Sequence, residues 1–363
     1  SLFIALLGLI GGFSTPALLS TGEDHPIGLF GYLLLLNGGL AWVASRKRWP
    51  LLTTLSLVLT TLYQWSWVMK FLTAGKLPLA TGIFLAFPIL TFFAIALGRE
   101  KAATSDWKSL FGQSGSLSAA LPMVFALYLA AVPGYGAHYG ILFGFLLCLD
   151  VGLFAVAAAR GPEILHLAGG LSTIAVFATW FNVSYEAGSA WPGVLLFNAL
   201  FVGFYLAAPL IARRFGRDFS GLGRRAVFAA PLLLFAIPVL AGFEPACAAP
   251  GLLFSALFLL LMANSSYAVT QGKGAVHFLA VFFALIAETV WTAKYLSADR
   301  LLQGLALYGI FGLFYLSVPV LARRFQKALR PESAGALLPL MSFGLFLGLA
   351  GHLFLFFVAS QHS

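Results

Sequence analysis

Charged residues are scarce in this sequence, and their scarcity decides its class. They make up 9% of the 363 residues, while 61% of the residues are hydrophobic. A soluble globular domain carries about 25% charged residues, so a water-soluble fold is excluded. Helices that are apolar on every side suit the lipid bilayer instead. Because lipid offers the backbone no hydrogen-bonding partner, we expect an all-α, polytopic integral membrane protein.

Cysteine and catalytic motifs are also rare. Cys148 and Cys247 stand alone in apolar surroundings, without the spacing of a disulfide framework or a metal site. The sequence contains no HExxH, P-loop or GxSxG pattern. The net charge of +9 comes from short basic clusters between apolar runs, which argues against nucleic acid as a partner. We therefore predict no catalytic residue, no metal, no cofactor and no enzymatic activity.

Thirteen apolar runs have roughly the 17–25 residues that cross the hydrocarbon core as a helix. The first is the weakest, because Gly11, Gly12 and Pro16 interrupt it, and we expect it to be a broken or partial span. The runs cover residues 2–20, 27–45, 51–72, 78–98, 117–133, 139–160, 164–183, 191–212, 226–243, 250–270, 275–295, 301–322 and 335–358.

Lysine and arginine are distributed unequally between the loops that join these runs. Of the 21 Lys and Arg residues, 17 lie in alternate loops and 4 in the others. Basic loops resist translocation and stay in the cytoplasm. The distribution therefore predicts a cytoplasmic N-terminus and, after thirteen passes, an external C-terminus.

Several sequence patterns recur at intervals of about 110 residues. FYLAAPLIARRF ends at Phe215 and FYLSVPVLARRF at Phe325, while Trp67, Trp180 and Trp291 recur near predicted external helix ends, where interfacial aromatic belts form. Each unit holds four spans, an even number, so successive units keep one orientation. We predict three parallel four-helix repeats, residues 1–112, 113–222 and 223–332, and a closing helix in residues 333–363.

Polar residues within the apolar runs are the candidate functional residues, because charge is costly in hydrocarbon. Asp150 aligns with Asn37 in the first repeat and with Leu261 in the third. This pattern favours a hydrogen bond between helices, with proton or ion handling as the alternative. Glu288 aligns with an apolar residue in the second repeat, and Thr292 and Tyr295 extend its face of the helix. His352 in the closing helix is the remaining candidate, as a packing residue or a ligand.

The doubled arginines follow the recurring FYL pattern at two predicted cytoplasmic helix ends. Basic side chains at such ends anchor the helix at the headgroup level and set its orientation. An anionic-lipid or phosphate site is the alternative. The four residues are Arg213, Arg214, Arg323 and Arg324.

Residues 6–49 resemble a bacterial family of predicted membrane proteins, the domain of unknown function numbered 2339. The resemblance rests on Gly11-Gly12-Phe13, Thr15-Pro16, LLSTG at residues 18–22, Asn37 and RKRW at residues 46–49. It implies a many-spanning protein of the bacterial inner membrane, but no catalytic residues. It also implies that this segment normally lies well inside a longer chain, so we expect a C-terminal portion or a shortened member.

Two classes of function fit these features. The first is a non-catalytic scaffold or accessory subunit that packs against membrane lipids and other membrane proteins, and we favour it because no chemistry is apparent. The second is a transporter or channel with a path between the repeats, which the proline-interrupted spans and Glu288 favour. A transporter predicts a polar cavity lined by Glu288 or Asp150, whereas a scaffold predicts that these groups are hydrogen-bonded between packed helices.

Overall fold

The computed structural model describes residues 2–20, 22–47, 49–98, 121–159, 162–188, 190–324 and 338–361. Regular secondary structure in these residues is helical, with no strand, which confirms the all-α class. The chain forms two compact units, Ser1–Ser184 and Tyr185–Ser363. This division falls inside the second predicted repeat, so the repeat boundaries stay a prediction.

The described part of the first unit consists mainly of long apolar helices, several of which are joined by short connections. α3 begins at Pro50, directly after Trp49. A proline is well suited to the first helical position, because an N–H there would have no acceptor within the helix. A 3-10 turn at Ala74–Lys76 precedes α4. The helices are α1 Leu2–Leu18, α2 Pro26–Lys47, α3 Pro50–Phe71, α4 Leu77–Gly98, α5 Leu121–Ala131, α6 Pro133–Gly136, α7 Tyr139–Ala158 and α8 Ile164–Val183.

The second unit is arranged around one helix, α13, which packs against α10, α11, α12, α14 and α15. Gly272 follows α12 with φ 69°, a left-handed conformation that glycine adopts without strain, and α13 begins two residues later. The helices are α9 Trp191–Arg214, α10 Ala229–Leu233, α11 Ala236–Phe243, α12 Gly251–Gln271, α13 Gly274–Tyr295, α14 Leu301–Arg324 and α15 Leu338–Gln361.

A described helix lies in each of the thirteen predicted runs, but fewer are long and apolar enough to cross a membrane by themselves. Among the described residues there are 8 stretches that could span a membrane by length and composition, and the count of thirteen stays a prediction. They are Pro26–Ala44, Tyr139–Ala158, Ile164–Val183, Trp191–Arg214, Gly223–Phe243, Gly251–Gln271, Gly274–Tyr295 and Ala298–Arg323.

The interrupted helix is not the first one. Helix α1 is continuous through its glycines and has 17 residues, somewhat short of the roughly 20 needed to span. The interruption lies in Gly223–Phe243, where a 3-10 turn, α10 and α11 follow one another. At the break Ile237 N donates to the Leu234 carbonyl at 3.0 Å, and the Leu233 carbonyl accepts a hydrogen bond of 2.8 Å from Asn198 Nδ2. A side chain on α9 therefore stabilises the break.

The recurring tryptophans are buried, and not exposed in an interfacial belt as the sequence predicted. Trp67 is 3% exposed, Trp180 1% and Trp291 0%. Each indole Nε1 donates a hydrogen bond to a residue just before an earlier helix of its own unit. The acceptors are Asp24 Oδ1 at 2.7 Å, the Gly136 carbonyl at 2.8 Å and the Cys247 carbonyl at 3.0 Å. Aligned positions of the three sequence units thus make equivalent contacts.

Candidate functional site

Asn37 and Asp150 each take part in a hydrogen bond between neighbouring helices. Asn37 Nδ2 donates to Thr60 Oγ1 at 2.8 Å, which joins α2 to α3. Thr173 Oγ1 donates to Asp150 Oδ2 at 2.6 Å, which joins α7 to α8. Both pairs are buried, and the partners are 23 residues apart in each. The same polar contact is therefore built twice, once with an amide and once with a carboxyl group.

The third repeat replaces this contact with apolar packing. Leu261 aligns with Asp150, and Ala284 aligns with Thr173. Both residues are 0% exposed. At the aligned positions of the three repeats, the two helices are thus joined by an amide, by a carboxyl group or by apolar side chains.

Glu288 lies at the centre of a polar cluster that joins three helices. Its side chain is 0% exposed. Oε1 accepts a hydrogen bond of 3.2 Å from Tyr315 on α14, and Oε2 lies 3.1 Å from His352 Nε2 on α15. The imidazole of His352 also meets the ring of Tyr315 edge-on, with 4.9 Å between the centroids. The structure thus brings together two candidates from the sequence, Glu288 and His352, and adds Tyr315.

Tyr315 was not among the candidate residues, although a signal was present. It belongs to the FYL pattern that precedes Arg323, and its aligned residue Tyr205 is buried as well. A tyrosine buried at membrane depth needs a hydrogen-bonding partner for its hydroxyl. That requirement points to a nearby polar side chain, but it does not identify Glu288.

Thr292 and Tyr295 do not continue the cluster as a single polar stripe. Thr292 Oγ1 donates to the backbone carbonyl of Glu288 at 2.6 Å and also contacts the hydroxyl of Tyr308. Tyr295 is the last residue of α13, and its hydroxyl donates to the Glu244 carbonyl at 2.8 Å. The stripe therefore divides because the helix end turns Tyr295 toward the segment after α11.

Glu244 forms a second buried carboxylate site, which the sequence reading missed. Its side chain caps the 3-10 turn after α11, and the residue is 2% exposed. Oε2 accepts hydrogen bonds from the Tyr185 hydroxyl at 2.9 Å and the Gly188 amide at 2.8 Å. Burial, and then the neighbouring carboxylate, raise the pKa of Tyr185. These hydrogen bonds have a structural role, because they hold the segment between α8 and α9 against the end of α11.

A cavity of about 330 Å³ lies between α13, α14 and α15. Its wall is mainly apolar, and it includes Tyr315 and His352, the two partners of Glu288. Glu288 itself is buried and does not line the cavity. The lining residues are His277, Phe278, Val281, Tyr308, Gly309, Gly312, Leu313, Tyr315, Leu316, Pro319, His352, Leu353 and Phe356.

The arginine pairs end α9 and α14. Arg213 contacts Asp218 Oδ1 at 3.1 Å and the side-chain oxygen of Gln271. Arg214 and Arg323 are exposed, as headgroup anchors require. The backbone of Arg324 is helical, but its side chain lies outside the described part of the structure. Among the described residues, no group of three or more His, Cys, Asp or Glu side chains is arranged to hold a metal ion.

The described helices define a multi-pass integral membrane protein. Within this class, residues 1–141 match the family model described as "Predicted membrane protein (DUF2339)". The match confirms the resemblance seen in residues 6–49 and extends it through α6. No curated protein and no solved structure matches the chain.

Proposed function

We propose that the chain is a non-catalytic scaffold or accessory subunit of the bacterial inner membrane, which binds lipids and other membrane proteins. The observation that carries the proposal is the pairing of the intramembrane polar side chains. Asp150 contacts Thr173, Asn37 contacts Thr60, and the Glu288 carboxylate contacts two side chains of neighbouring helices. Such contacts join helices, and they leave these groups unavailable for a polar path.

Large apolar side chains on the outer faces of the helices support the same proposal. On α14, Leu302 is 80% exposed, Leu313 70% and Val320 65%. In the membrane these side chains contact lipid tails or the helices of another protein. Because lipid is as apolar as leucine, a protein partner is held by close packing and hydrogen bonds rather than by the hydrophobic effect.

Substitution of Asp150 tests whether its role is structural. Asp150→Asn keeps an oxygen that can accept from Thr173 Oγ1, and its amide can also donate to that hydroxyl, as Asn37 Nδ2 donates to Thr60 Oγ1, so we expect unchanged assembly and thermal stability. Asp150→Leu removes the acceptor and should destabilise the protein by about 0.6–1.7 kcal/mol, the range for hydrogen bonds between membrane helices. A loss of function in Asp150→Asn, with stability intact, would instead assign a role to the charge.

One observation favours transport of a small solute as a second candidate. The cavity is bounded by His352 and Tyr315, the side chains that contact Glu288. Purified protein in liposomes loaded with a pH-sensitive dye distinguishes the two functions. The scaffold predicts that the protein adds no proton flux, and that Glu288→Gln leaves the traces unchanged. Flux that requires Glu288 would establish transport.

The proposed placement puts the N-terminus in the cytoplasm and the C-terminus outside. The basic segment between α9 and α10, with Arg217, Arg224 and Arg225, supports this orientation. Reporter fusions in this segment should be active in the cytoplasm. Activity outside the cytoplasm would reverse the topology.

Photocrosslinking tests the partner. A photoreactive amino acid at exposed Leu302 should give a discrete protein adduct in native membranes, and the same residue at buried Leu307 should not. Lipid adducts alone would exclude a protein partner at this face.

A further inference from the structure

The cavity between α13, α14 and α15 has the shape of a narrow slot. Its lining residues on α14 run from Tyr308 to Pro319 along one face of the helix. At 1.5 Å per residue this face is about 16 Å long, and a volume of about 330 Å³ over that length corresponds to a cross-section of about 20 Å². A slot of this length and width fits a single linear hydrocarbon chain.

Most of the slot lies at membrane depth. On α14, which spans Leu301–Arg324, Tyr308 lies about 10 Å from the beginning of the helix and Pro319 about 8 Å from its end. His277 lies about 5 Å from the beginning of α13, so one end of the slot approaches the membrane surface. The rest of the slot lies at membrane depth, where it suits hydrocarbon rather than a charged headgroup.

The slot opens sideways at the surface of the second unit. Three lining residues are strongly exposed: Leu313 at 70%, Leu353 at 69% and Leu316 at 50%. They lie on α14 and α15, on both sides of the opening. Because the second unit lies in the bilayer, the neighbouring lipid has direct access.

The polar residues of the wall direct polar atoms toward neighbouring helices. Their rings, rather than charged tips, then contribute to the lining, so that the wall suits an apolar chain. The contacts are His277 Nδ1 to Ser265 Oγ at 2.8 Å, Tyr308 to Thr292, Tyr315 to Glu288 Oε1 at 3.2 Å, and His352 Nε2 to Glu288 Oε2 at 3.1 Å.

Two glycines on α14 leave room for the slot. A Cβ atom added at Gly309 would meet nothing within 4 Å, and one added at Gly312 would approach His352 Cδ2 to 3.2 Å. Gly309 therefore provides open space along the slot, whereas Gly312 allows α15 to pack closely. A larger side chain at residue 309 would project into the volume without disturbing the helix contacts.

We propose that this slot binds one acyl chain of a membrane phospholipid, held between α13, α14 and α15 with its headgroup outside the slot. Width, depth, lateral access and an apolar wall all fit one linear hydrocarbon chain. The glycerophospholipids of the surrounding bilayer supply such chains at high concentration. The site does not depend on the scaffold function, since a transporter or a subunit could hold the same lipid.

The test uses the full chain in nanodiscs that contain a phospholipid with a photoreactive diazirine in one acyl chain. We expect labelled peptides from α14 and α15 around the slot, and competition by unlabelled phospholipid. Gly309→Leu should strongly reduce this labelling, because the added side chain occupies space that the acyl chain would fill. Gly203→Leu is the matched control, since a Cβ at Gly203 on α9 also meets nothing within 4 Å.

A second variant keeps the test decisive if Gly309→Leu does not fold. Leu316→Ala shortens a lining side chain and should retain or increase the labelling. Equal labelling of the wild type, Gly309→Leu and Gly203→Leu at these peptides would overturn the proposal. So would competition by an isoprenoid lipid but not by phospholipid, or a crosslink from the slot to protein in place of lipid.

Discussion

Replacing His352 by leucine should expose how strongly the Glu288 cluster holds α13, α14 and α15 together. The carboxylate is 0% exposed, and His352 Nε2 lies 3.1 Å from it. Removal of one partner of a buried pair typically costs about 3–5 kcal/mol. We expect about 3 kcal/mol for His352→Leu, at the lower end, because the Tyr315 hydroxyl still donates to the carboxylate.

The double variant provides the sharper measurement. Glu288→Leu with His352→Leu removes both polar groups, and a buried pair replaced by apolar side chains is often neutral or stabilising. The double variant should therefore be more stable than His352→Leu alone, with a coupling energy of about 2 kcal/mol. The assay is reversible unfolding in mixed micelles as the denaturing detergent fraction rises, followed by tryptophan fluorescence.

Control measurements separate the pair from general packing. Phe356→Leu changes another lining residue of α15 without touching the cluster, and it should show no coupling with Glu288→Leu. If the costs of Glu288→Leu and His352→Leu simply add, the two side chains do not interact, and the reasoning is refuted.

Three further predictions concern residues at the helix ends and in the segments between helices. Burial raises the pKa of Asp24, but hydrogen bonds from Lys76 and Trp67 outweigh it and lower that pKa below its ordinary value of 3.8. The folded state therefore gains stability from Asp24 above about pH 4 and loses it as the pH falls through the lowered pKa; a thermal midpoint insensitive to Asp24→Asn over this range would contradict this. Trp67→Phe and Trp291→Phe should each destabilise the protein by about 1 kcal/mol, with the larger cost at Trp67, whose acceptor is charged. Calorimetry measures the destabilisation of each variant. At a pH low enough to protonate Asp24, the two variants should be destabilised equally. Burial raises the pKa of Cys247 to about 12, so a maleimide at about pH 8 should label it only after denaturation; rapid labelling of the native protein would place the thiol at the surface.

The polar pairs show how far a repeat in the sequence can predict contacts. Alignment of Asn37 with Asp150 indicated a shared helix–helix hydrogen bond, and the partners Thr60 and Thr173 are aligned too. When a polar contact recurs in two repeats, both of its residues align with polar residues in the other repeat. Glu288 has no polar counterpart in the second repeat, so no aligned pair of residues indicated its partners.

The tryptophans show where a statistical expectation fails. Near a helix end, an indole ring is commonly placed among the lipid headgroups. Trp67, Trp180 and Trp291 are buried instead, because each Nε1 reaches an acceptor beside the beginning of an earlier helix. The sequence correctly placed each tryptophan near the end of its helix. It did not indicate in which direction around the helix axis the side chain points.

The amino-acid sequence by itself determined that this is an all-helical membrane protein, roughly where its helices begin and end, and which family its first part resembles. Those properties depend on local composition, since about twenty apolar residues in a row have few alternatives in lipid. Tertiary structure alone decided that Glu288 meets His352, 64 residues further along, that Glu244 closes a loop, and that a slot runs along α14. These helices are apolar on nearly every side, so no amphipathic pattern specifies how each one is rotated against its neighbours. Packing sets that rotation, and the rotation determines which side chains of neighbouring helices come into contact.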